Sequence, residues 1–82
     1  MQTVQDILNN ECHASIKAFE IELNNGEYEF LEVFGIGFEK LACIGSNCGL
    51  IQIDYDYNFS LDMNIQALYD EVINKLLELE LI

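Results

Sequence analysis

Five side chains bearing oxygen recur at every second position in Asp54-Tyr55-Asp56-Tyr57-Asn58-Phe59-Ser60-Leu61-Asp62. Such a donor row suits a hard cation and matches the first half of an EF-hand loop. The match then fails. Phe59 stands where that loop needs glycine for its sharp turn, and Ile65 stands where it needs a bidentate glutamate. Strand alternation explains the spacing better, so the charge predicts only weak, non-specific attraction of divalent cations. Cys12, His13, Cys43 and Cys48 are a second possible metal set. The intervals are wrong for a zinc knuckle, and the neighbours Cys12 and His13 point apart in an extended chain. No metal or cofactor is expected.

Catalytic chemistry finds little to use. One histidine is present and there is no arginine to hold an anionic substrate. Cys12 beside His13 is not a nucleophile and base pair, because sequence neighbours on a strand face opposite ways. Carboxylates abound, but none is marked by its neighbours as an acid of raised pKa. Gly35-x-Gly37 lacks the third glycine and the helix start of a dinucleotide loop, so it reads as a bend. The expectation is a binding protein rather than an enzyme.

The elements that position these residues follow from periodicity. Thr3-Val4-Gln5-Asp6 has the pattern of a helix start, and Val4, Ile7 and Leu8 form a short stripe, predicting a helix over Val4 to Glu11. From His13 the period becomes two. Phe19, Ile21 and Leu23 alternate with Glu20 and Glu22. Asn25-Gly26 is a strong hairpin signal, and the return strand runs from Glu27 to Phe34. A third strand is predicted from Phe38 to Gly45, a turn at Ser46-Asn47-Cys48-Gly49, and a fourth strand through Ile51, Ile53, Tyr55, Tyr57 and Phe59. Ser60 or Asp62 then caps a helix carrying Ile65, Leu68, Tyr69, Val72, Ile73 and Leu76, ending near Leu79. The order is α-β-β-β-β-α over residues 1–82 as one domain. This predicts an α+β two-layer fold, a four-stranded antiparallel meander with N- and C-terminal helices.

Placing the acids on these hairpins gives them a common face. If Asn25 and Gly26 are the two turn residues, Leu23 faces Tyr28, Ile21 faces Phe30, and Glu22 faces Glu29. If the second turn centres on Asn47-Cys48, Glu39 faces Asp56. Like charges directly opposite one another weaken a sheet, so two such pairs point to binding rather than stability. With Glu20, Glu27 and Asp54 they predict an outer carboxylate face of Glu20, Glu22, Glu27, Glu29, Glu39, Asp54 and Asp56. The bland alternative, a solvated face that keeps a small apolar protein in solution, stays open.

Composition agrees with a folded acidic protein. Fifteen Asp and Glu against three Lys give a formal net charge of −12, while hydrophobic residues make up 51% of the chain. That apolar fraction is too high for a disordered acidic tail. The charge excludes direct binding of nucleic acid or anionic membrane and favours basic protein surfaces. A core this small is marginal, and self-repulsion predicts lower stability at low salt, which a homodimer or permanent partner would offset. Residues 1–12 lack the basic start and apolar run of a signal peptide, and no stretch is long enough to span a bilayer. An odd cysteine count fits reduced thiols, so a cytoplasmic location is expected, the host cytoplasm for a phage-encoded chain.

In charge, size and composition the chain resembles small acidic proteins of phages and mobile elements that occupy basic nucleic-acid-binding sites, including anti-CRISPR, anti-restriction and repair-enzyme inhibitors. That resemblance rests on no motif and assigns no residue. It implies an inhibitor whose carboxylates meet the Lys and Arg of a nuclease or CRISPR effector, with a few apolar anchors for affinity. Two alternatives stand beside it. One is an immunity protein or antitoxin that neutralises a cationic nuclease toxin. The other is a structural or assembly adaptor docking through Leu76-Leu77-x-Leu79-x-Leu81-Ile82.

Overall fold

The computed structural model describes residues 15–37 and 39–82. The predicted helix over Val4 to Glu11, Cys12, His13 and Phe38 lie outside the described residues. Within them the elements are β1 (Ser15–Glu22), β2 (Tyr28–Ile36), β3 (Lys40–Gly45), β4 (Gly49–Asp54) and α1 (Leu61–Glu78). The strands form an antiparallel sheet in the order β1-β2-β3-β4, with α1 packed on one face, as an α+β meander should be.

The helix starts where its cap lies. Ser60 Oγ accepts from Met63 N at 3.2 Å, and Asp62 occupies the favoured first turn. Ile65, Leu68, Val72 and Leu76 then recur on one face, all buried. They meet Phe19, Ile21, Leu23, Leu31, Val33, Leu41, Cys43, Ile51 and Ile53 of the sheet. Each fully buried aliphatic side chain of this kind contributes about 1.5–3 kcal/mol. The helix closes with a Schellman pattern, in which Leu81 N donates to Leu76 O (2.9 Å) and Glu80 N donates to Leu77 O (3.0 Å). Leu81 O in turn accepts from Asn24 N at 2.8 Å, tying the helix end to the first hairpin loop. Leu81 and Ile82 are therefore spent on this closure and the core, leaving Leu77 and Leu79 exposed.

Glu80 holds the left-handed position of that closure, at φ 60°. Glycine takes this conformation without the Cβ penalty. Glu80→Gly is expected to raise stability by about 1 kcal/mol, seen as a higher urea midpoint at unchanged slope.

The first hairpin differs from expectation by one residue. Leu23 N donates to Glu27 O (2.8 Å) and Gly26 N donates to Leu23 O (3.0 Å), with Gly26 at φ 85°. This is a three-residue loop, a turn over Asn24-Asn25 followed by a glycine bulge, in place of a two-residue turn. The pairing becomes Glu22↔Tyr28, Ile21↔Glu29, Glu20↔Phe30 and Phe19↔Leu31. Because side chains alternate, a slip of one moves each β2 residue to the other face relative to β1. Glu22 does not face Glu29.

The second hairpin slips likewise. Gly45 pairs with Gly49 around a loop of Ser46, Asn47 and Cys48, which brings Lys40 opposite Asp54 and bonds Tyr55 N to Glu39 O at 2.7 Å. Glu39 therefore does not face Asp56. The fourth strand also stops at Asp54 rather than continuing to Phe59, and Tyr57 and Phe59 are exposed instead of core. Asn64 is the reason. Buried near the helix start, it accepts from Asp56 N (2.8 Å) and donates to the carbonyls of Asp56, Phe59 and Ser60. That clamp folds residues 56–60 into a loop.

Candidate functional site

The slip in register separates the seven acids. Glu29 moves to the helix-facing side of the sheet, in line with Leu31 and Val33, and is 0% exposed. A bare carboxylate there would be costly, and its surroundings answer that cost. Leu31 pairs with Gly45, so Glu29, two residues earlier on the same face, reaches under the loop that Gly45 begins. Ser46 Oγ donates to its Oε1 at 2.7 Å and Asn47 Nδ2 donates to the same oxygen at 2.6 Å. Asn47 N and Cys48 N each donate to Oε2 at 2.7 Å. Burial alone would raise the pKa of this carboxyl. The bonds from Cys48 N, Ser46 and Asn47 outweigh burial and hold it at about 2.

Gly45 makes room for this arrangement. A Cβ there would overlap Cys48 Sγ and lie 2.5 Å from Leu31 Cδ2 and 2.7 Å from Glu29 Oε2. Cys43 and Cys48 are free and buried beside it. The Cys48 thiol is held above its usual range, by its contact with the Cys43 thiol first, then by burial and by Glu29. Glu29 is a carboxylate kept ionised and Cys48 a thiol kept protonated. The pair is the reverse of an acid poised to donate beside a thiolate poised to attack. The cluster is a clasp that closes the second hairpin.

The remaining acids fall into two groups. Glu20 and Glu22 lie on the outer face of the sheet, away from α1, where Glu20 is opposite Phe30 and Glu22 opposite Tyr28. Glu32 joins them, opposite Ala18. Tyr28 and Phe30 are 46% and 59% exposed, with ring centroids 6.5 Å apart. Glu27 flanks them at the hairpin loop, its backbone N–H bonded to Asn25 Oδ1 at 2.9 Å. Sequence reasoning missed Glu32 and both aromatic residues as surface groups. The signal was the doublet Phe30-Leu31, where one residue must face out.

Glu39, Asp54 and Asp56 lie at the other end of the sheet. Asp54 is paired with Lys40 at 3.1 Å, and Asp56 Oδ1 accepts from Asn58 N at 2.9 Å. Within the Asp54-to-Asp62 row, Asp54 is spent on the ion pair, Asp56 on a turn and Ser60 on the helix cap. Among the described residues no group of His, Cys, Asp and Glu is arranged to hold a metal. A groove of about 250 Å³ opens at this end between Ile16, Leu41, Tyr55 and Leu61, and among the described residues its one charged lining residue is the paired Lys40. Among the described residues no helix is long and apolar enough to cross a membrane. No protein-family model, curated protein or solved structure matches the chain.

Proposed function

We propose that the protein is a small acidic binding inhibitor that occupies a basic, nucleic-acid-binding surface of another protein, a nuclease or CRISPR effector being the kind of partner meant. One observation carries this reading. Exposed Tyr28 and Phe30 stand among Glu20, Glu22, Glu27 and Glu32 at one end of the outer sheet face. Aromatic anchors inside a ring of charge are what a binding hot spot needs. The carboxylates would meet Lys and Arg that normally hold phosphates, and the charge of −12 would steer the approach. Glu39, Asp54 and Asp56 would add long-range field rather than contacts. A binding role also suits Glu29, whose carboxylate is saturated and sealed away from any substrate.

The test is capture of partners from the host cell on immobilised protein, followed by competition with DNA or RNA. The captured protein is expected to be a nucleic-acid enzyme that nucleic acid displaces. Phe30→Ala is expected to weaken capture by roughly thirtyfold, the scale of a hot-spot residue, and Glu20→Lys to slow association. An association rate indifferent to salt, or capture of a neutral protein unrelated to nucleic acid, would remove the reading. An immunity protein or antitoxin would use the same surface against a cationic toxin. The exposed Leu77 and Leu79 favour the adaptor alternative, which sizing of the protein without partner would reveal as self-association.

A further inference from the structure

The first hairpin loop brings together the parts of a modification site. Asn25-Gly26 is the one Asn-Gly pair of the chain, and Asn24, Asn25, Gly26 and Glu27 are all exposed. An asparagine amide carbon lies within reach of the backbone nitrogen of the next residue. When that residue is glycine, no side chain obstructs the approach. At Gly26 nothing lies within 4 Å of where a Cβ would stand, so the surrounding space is open as well. The Asn25 amide is held at both its ends. Its Oδ1 accepts from Glu27 N at 2.9 Å, and its Nδ2 donates to Glu27 Oε2 at 3.3 Å. A backbone N–H on Oδ1 stabilises the negative charge which that oxygen gains when Cγ is attacked. One bond opposes the step. Gly26 N donates to Leu23 O at 3.0 Å and must first release it, in an exposed loop where local opening costs little.

We infer that Asn25 is a site of self-modification, at which Gly26 N closes on Asn25 Cγ and the amide becomes a carboxylate. The N–Cγ bond forms as Gly26 N gives its proton to solvent. The Cγ–Nδ2 bond breaks as Nδ2 takes a proton and leaves as ammonia, and a succinimide ring remains. Water opens the ring at Cγ to give aspartate, or at the main-chain carbonyl to give isoaspartate. The sum is amide plus water to acid plus ammonia, with nothing oxidised or reduced. The other asparagines among the described residues lack this combination. Asn24, Asn47, Asn58, Asn64 and Asn74 precede Asn25, Cys48, Phe59, Ile65 and Lys75, each with a side chain beside the nitrogen. Cys48 N is also committed to Glu29 at 2.7 Å, and Asn64 is buried.

The two products act differently on the hairpin. Aspartate at 25 keeps an oxygen for Glu27 N but sets a carboxylate against Glu27 Oε2 in place of an N–H donor. Isoaspartate adds one carbon to the main chain inside a loop closed by Leu23 N on Glu27 O and Gly26 N on Leu23 O. That lengthening pulls against both closing bonds, which hold the register that buries Glu29. Either product adds a negative charge beside Tyr28, and the inference stands whether or not that end binds a basic partner.

The test is peptide mapping by mass spectrometry after the folded full chain is incubated at mildly basic pH and physiological temperature. The mass gain of an amide-to-acid exchange is expected in the peptide holding Asn25, with Asn47, Asn58, Asn64 and Asn74 unchanged. Part of the product should be a substrate for isoaspartyl methyltransferase. Gly26→Ala should abolish the gain over the same period. Glu80→Gly, which stabilises the fold as a whole, should leave the rate unchanged. A fall of about fivefold in that variant would place the reaction in the unfolded chain and overturn the inference. So would an Asn25 peptide that stays unmodified while the same chain in urea converts.

Discussion

Glu29→Gln is expected to cost about 3–5 kcal/mol at neutral pH, a large part of the stability of an 82-residue domain. The amide keeps the shape but loses the charge, and it turns an N–H₂ toward donors. Either Cys48 N and Asn47 N, or Ser46 Oγ and Asn47 Nδ2, then face a donor in a buried site. Urea unfolding followed by circular dichroism reads the loss directly. Glu20→Gln on the outer face serves as control and should move stability by no more than about 0.5 kcal/mol. An equal effect of the two substitutions would show that the clasp contributes nothing special.

The same carboxylate predicts a pH dependence. Its folded pKa of about 2 lies below the ordinary value of 4.5, so its contribution is complete above pH 4.5 and is lost as pH falls toward 2. The gap corresponds to at most about 3 kcal/mol. Stability of the unmodified protein should fall across that window. The Glu29→Gln variant should lack this part of the fall.

Gly45→Ala is the second large effect, expected at about 2–4 kcal/mol, again by urea unfolding. The three atoms a methyl would meet belong to Cys48, Leu31 and Glu29, all buried, and Glu29 is pinned by its bonds to the loop. None can yield without opening the core or the clasp. Gly26→Ala is the useful contrast. Nothing lies within 4 Å of a Cβ there, so it meets only the strain of φ 85°, of order 1 kcal/mol.

These two residues also mark where the sequence stopped being legible. Helix α1 could be read from Ser60, Ile65, Leu68, Val72 and Leu76 because a cap and a repeat of 3.6 admit one phase. The meander could be read from its two turns. The register could not. Gly26 serves equally as the second residue of a two-residue turn or as the bulge of a three-residue one. The two choices differ by a single pairing that reverses a whole strand. Glu29 went to the wrong face for that reason, and Tyr28 and Phe30 with it. Glu20 and Glu22 were placed correctly because Ile21 and Leu23 fix their strand without reference to the turn. The length of β4 was hidden for a different reason. Tyr55, Tyr57 and Phe59 alternate like a strand, and only Asn64, a polar residue at a helix start, bends the chain away.

Among the described residues, β1 and β4 each pair on one side only. Such open edges invite strand addition between copies unless something keeps molecules apart. Here the mutual repulsion of anionic particles does so. That barrier vanishes near the isoelectric point of about 4.1, whereas the Glu29 clasp stays ionised down to about pH 2. Mild acid thus produces a particle that is still folded, carries no net charge and, among the described residues, has two sheet edges paired on one side only. Its colloidal limit is reached before its conformational one, and precipitation of native protein, rather than unfolding, sets the acid boundary of its working range.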